Sequence, residues 1–138
     1  LLDMGVEPFL VASACEAVVA QRLVRRLCPS CRETIEPDAA FLSEIGFPKR
    51  DGEPAPVYGP GSCERCRNTG FRGRRGIFEV LEVSEAIEGM IIARKSSNDI
   101  KQQGIQEGLR TLREDGWNKV LNGTTTIEEV LRVTEEDA

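Results

Sequence analysis

Histidine occurs nowhere in the 138 residues. Its absence removes the commonest general base and every cysteine–histidine nucleophile pairing. Aromatic residues are scarce, at one Trp, one Tyr and five Phe. They barely interleave with the basic residues, so a stacking platform for single-stranded nucleic acid has little to stand on. No apolar run approaches the ~20 residues that span a bilayer. The opening residues Leu1-Leu2-Asp3-Met4-Gly5 lack the basic region and cleavage site of a signal peptide and read as a cut through a longer protein. No Gly-x-x-x-x-Gly-Lys-Ser/Thr loop is present, because Gly70, Gly73 and Gly76 lack both the lysine and a preceding strand. The formal charge of −5 argues against broad phosphate binding.

What the chain does have is cysteine in pairs: Cys28-Pro29-Ser30-Cys31 and Cys63-Glu64-Arg65-Cys66, with 31 residues between them. Two Cys-x-x-Cys pairs read as a tetrahedral four-thiolate zinc site, each pair giving two ligands from one tight turn. A redox or disulfide pair is the alternative. Arg22, Arg25, Arg26 and Arg32 surround the first pair, and Arg65, Arg67, Arg72, Arg74 and Arg75 the second. Such a basic halo favours thiolate over thiol. Intact pairs without an export signal suit a reducing, cytoplasmic setting. A closed four-thiolate site is structural, since no coordination position stays open for chemistry. The fifth cysteine, Cys15, lies in an apolar pattern and reads as a small buried hydrophobe.

Along the chain, Cys15, Val19, Leu23 and Leu27 recur every four residues, with Val11 and Val18 beside them. Residues 7–27 therefore read as one amphipathic helix with Pro8 in its first turn, ended by Cys28-Pro29. A short helix is expected over 37–46, begun at Pro37 or Asp38 and closed by Gly46. Four of the seven prolines fall between 48 and 60, which reads as a surface loop. Gly70, Gly73 and Gly76 imply tight turns or close backbone approach, and residues 77–83 read as a strand. Ser84 caps a helix bearing Ile87, Met90 and Ile91. Ser96-x-x-Asp99 starts the next, which stops near Gly108. Leu109, Leu112 and Val120 mark another, closed at Gly123, and Thr125 or Thr126 caps the last.

The paired carboxylates Glu114-Asp115, Glu128-Glu129 and Glu135-Glu136-Asp137 read as solvated helix faces and an acidic tail, because adjacent helical residues do not face one another. Trp117, with apolar neighbours, reads as core.

Three blocks carry a resemblance to a known family. The first is Met4-Gly5-Val6-Glu7-Pro8-Phe9-Leu10-Val11-Ala12-Ser13, followed by Ala20-Gln21-Arg22-Leu23-Val24-Arg25-Arg26-Leu27-Cys28-Pro29-Ser30-Cys31. The second is Cys63-x-x-Cys66, Thr69-Gly70-Phe71-Arg72-Gly73-Arg74 and Gly76-Ile77-Phe78-Glu79. The third is Leu109-Arg110-Thr111-Leu112-Arg113-Glu114-Asp115-Gly116, Gly123-Thr124-Thr125 and Glu129-Val130-Leu131-Arg132-Val133-Thr134. In order and combination they resemble the C-terminal part of the type II secretion and type IV pilus assembly ATPases.

The resemblance implies a hexameric ATPase with a RecA-like core, cytoplasmic and peripheral at the inner membrane, driving pseudopilin or pilin assembly against platform proteins. It implies zinc at Cys28, Cys31, Cys63 and Cys66, with ATP and Mg2+ bound only elsewhere in the parent protein, so that this chain alone is inactive. It gives no role to Gln21 or Arg22. The fold expected is α+β and predominantly helical. Residues 1–27 are the C-terminal helix of the core, 28–75 a tetracysteine zinc subdomain with a Pro/Gly-rich loop, and 76–138 a strand plus a helical subdomain. The competing reading is a stand-alone zinc-ribbon interaction module, chaperone-like or nucleic-acid-binding; acidity and sparse aromatics count against nucleic acid.

Overall fold

The computed structural model describes residues 4–48 and 57–134. Its elements in chain order are α1 (Pro8–Ala14), β1 (Ala17–Leu27), β2 (Glu33–Ile35), α2 (Ala39–Glu44), β3 (Val57–Gly59), a 3-10 turn (Glu64–Cys66), β4 (Phe71–Glu82), α3 (Glu85–Ile92), α4 (Ser97–Gln106), α5 (Leu112–Leu121) and α6 (Ile127–Thr134). The class is α+β, with two two-stranded sheets among the described residues, β1 with β4 and β2 with β3.

The single helix expected over 7–27 is not formed. α1 stops at Ala14, Cys15 is already extended (φ −83°, ψ 122°), and residues 17–27 are a strand. The physical reason is that a spacing of four is compatible with both periods. On a helix it keeps side chains on one stripe; on a strand, where side chains alternate, it also keeps them on one face. Val18, Val19 and Val24 then favour the strand through their stiff χ1, and β4 supplies the partner. The ladder is antiparallel: Val83 N–H donates to the Glu16 carbonyl (2.9 Å) and Cys28 N–H to the Gly70 carbonyl (2.9 Å). Cys15 is half-buried just past α1 rather than buried within a helix.

β4 begins at Phe71, earlier than the strand expected from 77, because pairing with β1 extends it through the glycines. Gly70 (φ 81°) and Gly73 (φ 74°) do adopt left-handed conformations; Gly76 does not. Within the Pro/Gly-rich stretch, residues 49–56 lie outside the described residues, as does the acidic tail at 135–137. Residues 57–59 form β3, which the loop reading missed, paired with β2 in the register Glu33↔Gly59, Thr34↔Tyr58, Ile35↔Val57.

The chain groups into two compact units, each made of two segments. One comprises 1–20 and 78–111. Its core is Ala12, Ile87 and Ile91, with Val11, Leu81, Val83, Met90 and Ile100 packed around them. Both of its later helices carry the expected serine caps: Ser84 Oγ accepts from Ile87 N–H (3.3 Å) and Ser96 Oγ from Asp99 N–H (3.1 Å).

The other unit comprises 21–77 and 112–138, and it carries the cysteines. Phe47, Val57, Trp117, Val120, Ile127 and Val130 form its core. The Phe47 and Trp117 rings meet edge-to-face with centroids 5.3 Å apart, a favoured aromatic geometry. α2 has Asp38 as its cap and Gly46 left-handed after it, as the sequence leads one to expect. Gly123 is left-handed after α5. Thr126, not Thr125, caps α6 by accepting from Glu129 N–H (3.1 Å).

Candidate metal centre

The first cysteine pair sits where β1 ends. Pro29 forces the chain out of the strand, and a turn follows in which the N–H groups of Cys31 (3.4 Å) and Arg32 (3.1 Å) donate back to the Cys28 carbonyl. The second pair brackets the 3-10 turn. Arg67 (φ 56°) and Asn68 (φ 61°) then turn left-handed, and Asn68 N–H closes the loop onto the Cys63 carbonyl (2.9 Å). Such positive φ is uncommon for non-glycine residues and needs local support. Thr69 gives some of it, its hydroxyl donating to the Cys66 carbonyl (2.7 Å) and accepting from Phe71 N–H (3.2 Å).

Gly70 joins the two halves. Its N–H donates to Cys66 Sγ (3.2 Å) while its carbonyl accepts from Cys28 N–H. Only glycine suits this position, since φ is 81° and a methyl group there would overlap Pro60 and the Gly61 carbonyl. Gly61 is restricted in the same way by the backbone of Cys31.

The result is one cluster. The sulfurs of Cys28, Cys31, Cys63 and Cys66 all lie within 4.8 Å of one another. Cys28–Cys63, Cys31–Cys66 and Cys63–Cys66 are each separated by 3.7 Å. A tetrahedral zinc–thiolate centre, with Zn–S of about 2.3 Å, has edges of about 3.8 Å. The donor set and its dimensions therefore fit a metal ion such as zinc, and none of the five cysteines is in a disulfide.

The thiols respond to one another. Burial pushes Cys66 up, but the backbone N–H of Gly70, contacts with the Cys63 backbone and the neighbouring thiols of Cys31 and Cys63 outweigh it and bring the group down to about 6. Cys28 is likewise opposed by burial, yet held below its ordinary value by the Ser30 backbone and the Cys63 and Cys31 thiols. Cys31 is pushed up to about 12 by burial and then by the three sulfurs around it. Without a cation, a thiolate at one position makes the next proton harder to remove. A divalent ion offsets that repulsion and permits four thiolates at once.

Arginine was expected as a neutralising halo, but the best-held arginines have other partners. Arg25 lies over the Phe71 ring (4.0 Å) and pairs with Glu129 (2.9 Å). Arg32 lies over Tyr58 (4.4 Å), and Arg65 donates to Ser30 Oγ (3.4 Å). Glu129 corrects the solvated-face reading of Glu128-Glu129. Its side chain is only 3% exposed, whereas Glu128 is exposed. It accepts from Arg25 N–H (2.8 Å), Arg25 Nε (3.0 Å) and Arg132 Nη2 (2.9 Å). Sequence reasoning missed it because the partner lies 104 residues away. Its position in the first turn of α6 was the one available signal.

Comparison with known proteins shows the family. The family model described as "Type II/IV secretion system protein" matches residues 1–132. The chain belongs to that family. It is 44% identical over 134 residues to the type IV pilus assembly ATPase PilB of Thermus thermophilus, a match covering 97% of this chain and 15% of that protein. It is 40% identical over 136 residues to the type II secretion system ATPase E of Vibrio cholerae, covering 99% and 26%. To the type IV pilus assembly ATPase TfpB of Acinetobacter baylyi it is 38% identical over 133 residues, covering 96% and 23%. The chain thus spans between 15% and 27% of the length of such relatives of the secretion and pilus-assembly family. No helix among the described residues is long and apolar enough to cross a membrane.

Proposed function

We propose that this chain is the zinc-bearing C-terminal part of an ATP-driven motor for protein secretion or pilus assembly. The observation that carries the reading is the four-sulfur cluster, with three edges of 3.7 Å, set within a family match over residues 1–132. Cys28, Cys31, Cys63 and Cys66 hold one structural Zn2+; with four thiolates the ion has no open position and does no chemistry. The ion fixes how the two turns meet. In this reading residues 1–27 close a RecA-like core, the whole protein is a hexamer in the cytoplasm at the inner membrane, and ATP with Mg2+ binds outside this chain. Phosphoryl transfer needs a phosphate-cradling loop with its lysine, a held metal and a positioned water.

The exposed arginines of β4, Arg72, Arg74 and Arg75, suit contact with an acidic surface on a neighbouring subunit or on a membrane-platform protein. Charge reversal at Arg72 and Arg75 should weaken partner assembly and leave basal hydrolysis by the intact protein near normal; the opposite pattern would move those residues into the motor itself.

Two measurements test the main reading. The intact protein, purified without chelator, should hold one zinc per chain and hydrolyse ATP. This chain alone should keep the zinc and bind MgATP no more tightly than about millimolar. A reduced, folded, metal-free sample would overturn the zinc centre, and micromolar ATP binding with turnover by the chain alone would overturn the placement of the active site.

A further inference from the structure

The turn between α5 and α6 holds the residues on both sides of the first cysteine pair. Leu27 N–H, one residue before Cys28, donates to the Thr124 carbonyl (2.7 Å). Arg32, one residue after Cys31, donates from Nη1 to the Gly123 carbonyl (2.9 Å). Thr125 Oγ1, fully buried, donates to the Arg25 carbonyl (2.8 Å). The buried Glu129 carboxylate then takes both the N–H and the Nε–H of Arg25. A methyl group at Gly123 would overlap the Arg32 guanidinium, so the turn fits closely against the segment that carries the cysteines.

We propose that Glu129, acting with the Gly123–Thr126 turn, is the positioning residue of the metal centre. It fixes the end of β1 so that Cys28 and Cys31 face the second pair, and metal retention and the packing of α6 are therefore linked. The proposal rests on the zinc reading above. Glu129 does not touch a sulfur; it acts through Arg25. Groups bonded directly to a metal ligand change metal affinity by about 10- to 100-fold when removed; Glu129 stands further out, so the effect should lie at the low end of that range. Linkage is reciprocal, so whatever α6 contributes to holding the ion, the ion contributes equally to holding α6.

The test uses the intact protein loaded with zinc. Release to an excess of the chromogenic chelator 4-(2-pyridylazo)resorcinol is timed for the parent protein, Glu129→Gln, Thr125→Val and Glu128→Gln. Glu129→Gln should release zinc about 10-fold faster, Thr125→Val should be intermediate, and Glu128→Gln, with its exposed carboxylate, should match the parent. Hydrogen exchange on the chelated parent should show lost protection in α6 and at 123–126, with α3 and α4 unchanged. Unchanged zinc release by Glu129→Gln, or unchanged α6 protection after chelation, would overturn the proposal. If Glu129→Gln fails to fold, Thr125→Val decides. Should the intact protein bind no zinc, the zinc reading fails by itself. Positioning is then read from the Leu27–Arg32 amides in Glu129→Gln: lost protection sustains it and retained protection ends it.

Discussion

Arg32 lies across Tyr58, its guanidinium carbon 4.4 Å from the ring centroid. A residue adjacent to the first cysteine pair is thereby stacked on the middle residue of β3. Arginine suits this role better than lysine, because a planar guanidinium can stack and still donate in its own plane, here to Gly123. Arg32→Ala should destabilise this unit by about 1–3 kcal/mol, from the lost stacking and the lost hydrogen bond together. Tyr58→Phe should be near neutral, since the ring face remains. Urea denaturation of the two variants checks both, and an equal loss for each would mean that the ring face is not what matters.

Cysteine substitution should divide by position. Cys66→Ser removes one of the four clustered sulfurs and with it the acceptor of the Gly70 N–H. The intact protein should drop from one zinc to none, with local unfolding around the second turn, because binding energy at such sites is folding energy. Cys15→Ser lies outside the cluster and should leave the zinc content as it is. Metal analysis by mass spectrometry reads both outcomes.

Glu129 sets an acid limit. Burial opposes its charge, but hydrogen bonds from Arg132 and Arg25 and the charge of Arg25 hold its carboxyl down at about 2, against an ordinary 4.5. A depressed folded value stabilises fully above the unfolded one and is lost as pH falls from about 4.5 towards about 2. The contribution is on the order of 2–3 kcal/mol, the lower end reflecting the half-exposed arginines. Denaturation midpoints between pH 6 and about pH 2.5 should fall steeply in the parent protein and less in Glu129→Gln.

Trp117 and Gly116 test the core from opposite sides. Trp117 is 3% exposed, and Trp117→Ala should cost about 3–5 kcal/mol by leaving a cavity. A methyl group at Gly116 would press on the Val130 side chain, so Gly116→Ala should cost about 1–3 kcal/mol by overpacking. Thermal unfolding measures both. A neutral Gly116→Ala would show that α5 and α6 have room to move apart.

The elements that could be read from sequence are those decided within a few residues. Ser84, Ser96 and Gly123 act where they stand, through caps and a left-handed turn, and each pair of cysteines is a turn in itself. Pairing of the two cysteine turns was legible because two Cys-x-x-Cys turns are the common pattern of one shared metal site, and the structure brings their sulfurs within 4.8 Å of one another. What escaped depends on remote partners. The strand at 17–27 has a spacing that fits helix and strand alike, and only β4 decides between them. Val57–Gly59 is three residues long and exists as a strand only because Glu33–Ile35 lies beside it. Glu129 looks like any surface carboxylate until Arg25 is brought to it across the fold.

The β2–β3 pairing has a use beyond stability. It clasps the chain just after the first cysteine pair and again just before the second, in the register Glu33↔Gly59 to Ile35↔Val57. A change of length between Pro48 and Val57 should therefore be borne by that pairing and by the seating of Phe47 in the core, and not by the sulfurs. A spectroscopic label or reporter domain inserted between those two positions should leave the geometry of the four cysteines undisturbed.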